Sequence, residues 1–175
     1  RGLDLGTGDM SEIAQGWNTF AGDQTSMFNP HSGTPKTLIS HLVRWYANRR
    51  ANEAMAPVLH DILDTPISPE LTGSGDLSQT TETRIGPYEL HDFFLNEHKR
   101  RGSSIKKIGF LATRAFEGIY DEPTIEHWLL SFMQRYTRNQ WKILASPGGT
   151  KIGEVSLGQR NDHCLPPNLA PEWYL

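Results

Sequence analysis

Apolar residues recur along this chain at helical spacing, with one short extended stretch near its start. In "LDLGT", Leu3 and Leu5 alternate with polar neighbours, which predicts a strand. Ile13, Ala14 and Trp17 then share one face, predicting a helix from Asp9 to Phe20 that Gly22 ends. A loop over 24–33 follows. Leu38, Leu42, Trp45 and Tyr46 form an apolar stripe between Pro35 and Arg49, and Met55, Val58, Leu59 and Leu63 repeat it over 51–63. These two helices are expected to pack together, with Trp17 and Trp45 as core residues. Residues 72–84 contain Gly, Ser, Thr and Gln with only Leu77 apolar. Such a segment cannot offset an ordering entropy of roughly 1–2 kcal/mol per residue, so a mobile loop is expected. "GPYELHDFFLNEHKRRG" reads as a helix with Pro87 at its start and Gly102 behind its basic end. Further helices are expected near 103–116, through Ile105, Ile108 and Leu111, and near 123–138, through Ile125, Trp128, Leu129 and Phe132. Beyond Trp141 the chain reads as loop until "APEWYL", which starts a terminal helix. The prediction is mostly helix with one strand, and no internal repeat.

Chemistry concentrates where the strand meets the first helix. "GTGDMSE" brings backbone N–H groups, a hydroxyl and carboxylates to one point, a set that suits a nucleotide with magnesium. The next helix begins "TPKTLISHL", with Thr34 expected as N-cap and Pro35 as first helical residue. Lys36 is out of place there, because an ammonium in the first turn opposes the helix dipole by roughly 0.3–1 kcal/mol. An anion at the same helix end would account for it. A plainer alternative exists for each feature. Asp9 followed by Glu12 matches a capping box that needs no ligand. Gly6-Thr7-Gly8 lacks the third glycine of a dinucleotide fingerprint, since Ser11 and Glu12 stand where it would fall. The "HKRR" run at 98–101 is a helix end favoured by the dipole, and His163 beside Cys164 lacks an orienting third group.

Composition restricts the classes. The 175 residues suit one domain or part of one, and 17 Lys+Arg against 20 Asp+Glu give a net charge of −3. That balance argues against a dedicated nucleic-acid binder and leaves small anionic ligands open. Cys164 is the only cysteine, which rules out an internal disulfide and a thiolate metal cluster and points to a reducing, cytoplasmic setting. No metal-ligand spacing such as HExxH joins the seven histidines. No apolar run approaches the roughly 20 residues of a membrane span. With Arg1 rather than Met first, the chain is expected to be a fragment or processed piece.

Five blocks, "GTGDMSEIAQGWNTFAGDQ", "SGTPKTLISHLVRW", "ILDTPISPEL", "GPYELHDFFL" and the later "SLGQRND", stand in an order and at distances that closely resemble the C-terminal half of the synthetase domain of bacterial glutamine-dependent NAD+ synthetases. The resemblance covers nearly all of residues 1–175. It implies an α/β fold of the adenine nucleotide α-hydrolase-like, Rossmann-like class, of which this chain would be the helix-rich C-terminal half. It implies a ligase that uses ATP and Mg2+ to adenylylate deamido-NAD+ and lets ammonia, free or from glutamine, displace AMP to give NAD+. Carried over residue by residue, Thr7 becomes an ATP contact, and Lys36 and Thr65 become catalytic contacts to the ATP phosphates. Glu12 becomes a magnesium ligand and part of the deamido-NAD+ site. Trp17, Asn18, Thr19 and Phe20 line that pocket, Asp23 closes it, and Lys142 binds the same substrate. The family usually follows this lysine with Arg-Ser where this chain has Ile143 and Leu144, and Asp162 lies in "RND" where Arg-Gly-Asp is commoner. The loop at 72–84 is placed to act as a lid.

The Ser-Gly-Gly-x-Asp-Ser loop that cradles the ATP pyrophosphate in the family has no equivalent here, nor has the glutaminase domain. The isolated chain is therefore expected to be inactive, and the parent to form a homo-oligomer through the synthetase domain. Two other classes remain: another ATP-dependent amidotransferase of the superfamily, such as a GMP synthetase-like enzyme, and a non-catalytic helical association module.

Overall fold

The computed structural model describes residues 2–22, 24–67, 81–158, 163 and 165–170. Eight helices occur among them, in the order α1 Met10–Gln15, α2 Lys36–Arg49, α3 Met55–Asp64, α4 Thr81–Ile85, α5 Tyr88–Arg101, α6 Ile105–Ala115, α7 Glu122–Arg138 and α8 Gln140–Leu144. The core is made where α5, α6 and α7 pack on one another and α1 and α8 close over α7. Phe94, Ile108, Ile125, Phe132, Met133 and Tyr136 are fully enclosed there. Phe132 stacks on Tyr136 at 5.8 Å and 14° and on the imidazole of His91 at 5.7 Å and 25°. Side chains four apart along α7 thus form one aromatic row, the expected result of their helical spacing.

Several expected elements change. The "LDLGT" stretch does not form a strand among the described residues; it makes a single parallel bridge, Leu5 with Phe28, beside a second between Asn29 and Gly149. Ladder pairing needs a neighbouring strand along its length, and here Leu3 and Leu5 stay exposed. The first helix ends at Gln15, not Phe20, because Gly16 takes a left-handed φ of 61° and its missing Cβ makes room for Asn139. Pro35, not Thr34, is the N-cap of α2. The third helix starts at Met55, whose N–H donates to the Asn52 side chain at 2.9 Å. Residues 81–84 of the expected loop are helical in α4, and its remainder, 72–80, lies outside the described residues. Residues after Trp141 continue as α8 instead of loop, and the expected terminal helix lies mostly outside the described residues.

Helices α2 and α3 do pack together, but as an outlying hairpin. Trp45, expected in the core, is 48% exposed. Leu42, Val43, Trp45, Tyr46 and Leu59 line an apolar cleft of about 330 Å³ on this hairpin.

Candidate active site

The capping box at α1 is complete. Asp9 accepts the Glu12 N–H at 2.9 Å and Glu12 accepts the Asp9 N–H at 3.3 Å. Each carboxylate has one oxygen left, and both turn to Lys36: its Nζ lies 2.6 Å from Asp9 Oδ2 and 2.9 Å from Glu12 Oε1. The local box and the functional cluster are therefore the same atoms. Burial lifts the carboxyls of Asp9 and Glu12 above their usual range, and the Asp9 charge adds to this for Glu12, while Lys36 opposes it. Burial works against the Lys36 ammonium, yet the two carboxylates outweigh it and hold the lysine more firmly charged than usual.

The start of α2 has no cap of its own, and its first N–H groups are satisfied from two other helices. Lys36 N–H donates to Ser11 Oγ of α1 at 2.8 Å, and Thr37 N–H and Oγ1–H donate to Asp92 of α5 at 3.0 and 2.7 Å. Ser11 in turn donates its hydroxyl proton to Asp92. Burial raises the Asp92 carboxyl, against the hydrogen bonds from Ser11 and Thr37. The anion that the odd position of Lys36 called for is thus supplied by protein carboxylates, Asp9 and Glu12 at the side chain and Asp92 at the helix start. Three carboxylates against one ammonium leave the cluster negative. The ring of Tyr88, buried at the start of α5, lies 5.1 Å beneath Nζ.

A second group gathers where α1 ends. Lys142 of α8 donates from Nζ to the carbonyls of Gly16 and Asn18, both at 2.8 Å, and Asn139 donates to the Gln15 carbonyl at 2.8 Å. The Gly16 and Asn18 carbonyls lie just past the last residue of α1, so the Lys142 cation sits at the negative end of the helix dipole. Trp17 sits half-buried with the Arg135 guanidinium 5.3 Å from its ring, and Phe20 tilts against Trp141 at 5.1 Å with both rings half-exposed. The carboxamide oxygen of Asn18 is enclosed without a hydrogen-bond partner.

The family model for NAD synthase matches residues 1–121. The chain belongs to the NAD synthase family. It is 38% identical over 195 aligned positions to the glutamine-dependent NAD(+) synthetase of Mycobacterium bovis, covering 99% of this chain and 29% of the relative. It is 37% identical to that of Mycobacterium leprae, with the same coverage, and 27% identical to that of Thermotoga maritima, covering 90% of this chain and 24% of the relative. The crystal structure of a glutamine-dependent NAD(+) synthetase from Cytophaga hutchinsonii superposes with a TM-score of 0.72 at 18% identity, covering 96% of this chain and 24% of that one. The chain thus has the fold of the matching part of that synthetase, and it spans just over a quarter of the length of its mycobacterial relatives.

In this NAD synthase family member the residues singled out in the sequence separate into places. Glu12 and Lys36 share the first cluster; Trp17, Asn18, Phe20 and Lys142 share the second, with Thr19 exposed between them. Thr7 is exposed on the stretch leading to α1. Thr65 caps the end of α3, its hydroxyl donating back to the Asp61 carbonyl at 2.8 Å, and no hydrogen bond joins it to Lys36. Asp23 and Asp162 lie outside the described residues. Sequence reasoning missed Ser11, Tyr88, Asp92 and Trp141. The i,i+4 spacing of Tyr88 and Asp92 on one helix was a legible signal that they share a face, but nothing local pointed that face at Lys36.

Among the described residues no group of three or more His, Cys, Asp or Glu side chains is arranged for a metal ion. Magnesium commonly takes one or two carboxylates and fills its octahedron with phosphate oxygens and water. Both Glu12 oxygens are engaged here, one by the Asp9 N–H and one by Lys36, so this carboxylate would hold a metal only by giving up one of those partners. No helix of the described residues is long and apolar enough to cross a membrane.

Proposed function

We propose that the protein carrying this chain is a glutamine-dependent NAD+ synthetase, and that the chain supplies one side of its synthetase site. The observation that carries the reading is the Asp9–Glu12–Lys36 cluster at the junction of α1 and α2 in a member of the NAD synthase family. In this reaction a nicotinate carboxylate oxygen of deamido-NAD+ attacks the α-phosphorus of ATP. The P–O bond to pyrophosphate breaks, and an adenylated acyl group forms. Ammonia then attacks the acyl carbon, loses a proton, and AMP leaves.

Lys36 meets the departing pyrophosphate with a positive charge that the protein already holds and partly desolvates, a preorganised role. Thr7 and Thr65 add hydroxyl contacts to ATP. Glu12 would hold magnesium, which when bound neutralises phosphate charge. Trp17, Asn18, Thr19 and Phe20 line the deamido-NAD+ pocket, and Lys142 binds the same substrate from beside the Gly16 and Asn18 carbonyls that its ammonium holds. The lone Asn18 oxygen suits a donor on that substrate.

The test is product formation by the complete protein with ATP, deamido-NAD+, Mg2+ and either glutamine or ammonia, with AMP and NAD+ followed chromatographically. Stoichiometric AMP and NAD+ are expected, and the 175-residue chain alone is expected to give neither. Turnover of xanthosine monophosphate in place of deamido-NAD+ would assign the protein instead to a GMP synthetase-like amidotransferase.

A further inference from the structure

We propose that Tyr88 is a positioning residue for Lys36, acting through the face of its ring; the inference rests on the assignment of Lys36 to the ATP phosphates. Three protein groups surround the ammonium: Asp9 at 2.6 Å, Glu12 at 2.9 Å and the Tyr88 ring at 5.1 Å from its centroid. The carboxylates hold it through directional hydrogen bonds, whereas an aromatic face attracts a cation over a broad area. Were Glu12 to hold a metal, one of these hydrogen bonds would be lost. The ring then keeps the charge in the site while allowing it to move toward phosphate.

The ring is built to stay still during that movement. Tyr88 is 3% exposed, its backbone N–H is held by the Glu82 side chain of α4 at 3.2 Å, and its ring meets the edge of His91 at 6.5 Å and 81°. Its hydroxyl is enclosed and has no hydrogen-bond partner, so no polar contact of that group accounts for a tyrosine here. The same face of α5 carries Asp92, which fixes the Thr37 backbone one residue after Lys36. One helix therefore sets both ends of the lysine: Asp92 the main chain beside it, Tyr88 the ammonium. A cation displaced by about 1 Å from its working position costs rate steeply, which is why a fixed rest for it matters.

The experiment is a double-substitution cycle in the complete protein, measuring kcat and KM for ATP in Tyr88→Leu, Tyr88→Phe, Lys36→Met and Lys36→Met/Tyr88→Leu. Tyr88→Leu is expected to lower kcat about ten-fold with KM changed less than three-fold. Tyr88→Phe rescues at least half of the wild-type rate. In the Lys36→Met background, Tyr88→Leu adds less than a two-fold loss. Equal losses in both backgrounds would mean the ring serves packing alone and would overturn the inference, as would a Tyr88→Phe as damaged as Tyr88→Leu. Wild-type rates in Lys36→Met would instead remove the phosphate assignment itself, a separately visible failure. Should Lys36→Met leave too little rate to measure, acylation of Lys36 by an amine-reactive activated ester, read by mass spectrometry, decides. Labelling about five-fold faster in Tyr88→Leu and unchanged in Tyr88→Phe supports the role, and equal labelling in all three proteins overturns it.

Discussion

Lys36 illustrates how one residue carries stability and chemistry together. Its ammonium pairs with two carboxylates at the start of α1, one of them buried, so its removal leaves charge without a partner. Lys36→Ala is expected to cost about 2 kcal/mol in chemical denaturation, between the values for a surface pair and a fully buried one because the lysine keeps some solvent contact. In the complete protein it is expected to lower the rate by about 10²–10³, the scale of losing one preorganised charge. Unchanged activity with lowered stability would leave Lys36 a structural ion pair. His91 gives a prediction of another kind. Burial lowers its pKa to about 4, and its Nε2 faces the Ile85 carbonyl. Its folded pKa lies below the ordinary 6.5, so the unfolded chain binds the proton more readily. The neutral imidazole's contribution is complete above about pH 6.5 and is lost as pH falls toward 4, a loss of about 3 kcal/mol over that window. Proton NMR titration of His91 should find a midpoint well below 6.5, and a midpoint near 6.5 in the folded protein would refute it.

At the scale of elements, α2 depends on its neighbours. Its first turn borrows Ser11 from α1 and Asp92 from α5 where most helices use their own cap. Asp92→Ala is expected to cost about 2 kcal/mol, more than the usual cap, since two donors of Thr37 and the hydroxyl of Ser11 lose one acceptor together. Thermal or urea unfolding measures it, and a loss under about 0.5 kcal/mol would show that the cap is idle. This dependence also explains what could be read from sequence. The capping box was legible because Asp9 and Glu12 are three residues apart and their bonds are local. The mismatch of Lys36 with the helix dipole was legible too, but the carboxylates that answer it were not, because that pairing is made by the fold. The helices 88–101, 105–115 and 122–138 followed their apolar spacing closely, since all three lie in the core. The "LDLGT" strand and the Trp45 core position did not, since both readings assumed a covering layer that the described residues do not provide.

At the scale of the molecule, the α2–α3 hairpin stands apart with Leu42, Trp45, Tyr46, Val58 and Ile62 each more than two-fifths exposed. An apolar patch of this kind favours association. Light scattering of the 175-residue chain is expected to show concentration-dependent self-association that Leu42→Lys with Trp45→Lys reduces; a monomer at all concentrations would contradict it. The hairpin touches the rest of the protein mainly through α5 and α1, by way of the start of α2. The first amides of a helix ordinarily exchange with solvent quickly, because fraying exposes them at little cost. Those of Lys36 and Thr37 are instead bonded to α1 and α5, so they open only when those helices separate from the hairpin. Their deuterium uptake should therefore follow the slow opening of the core instead of local fraying, making these two amides a clock for the assembly of the site.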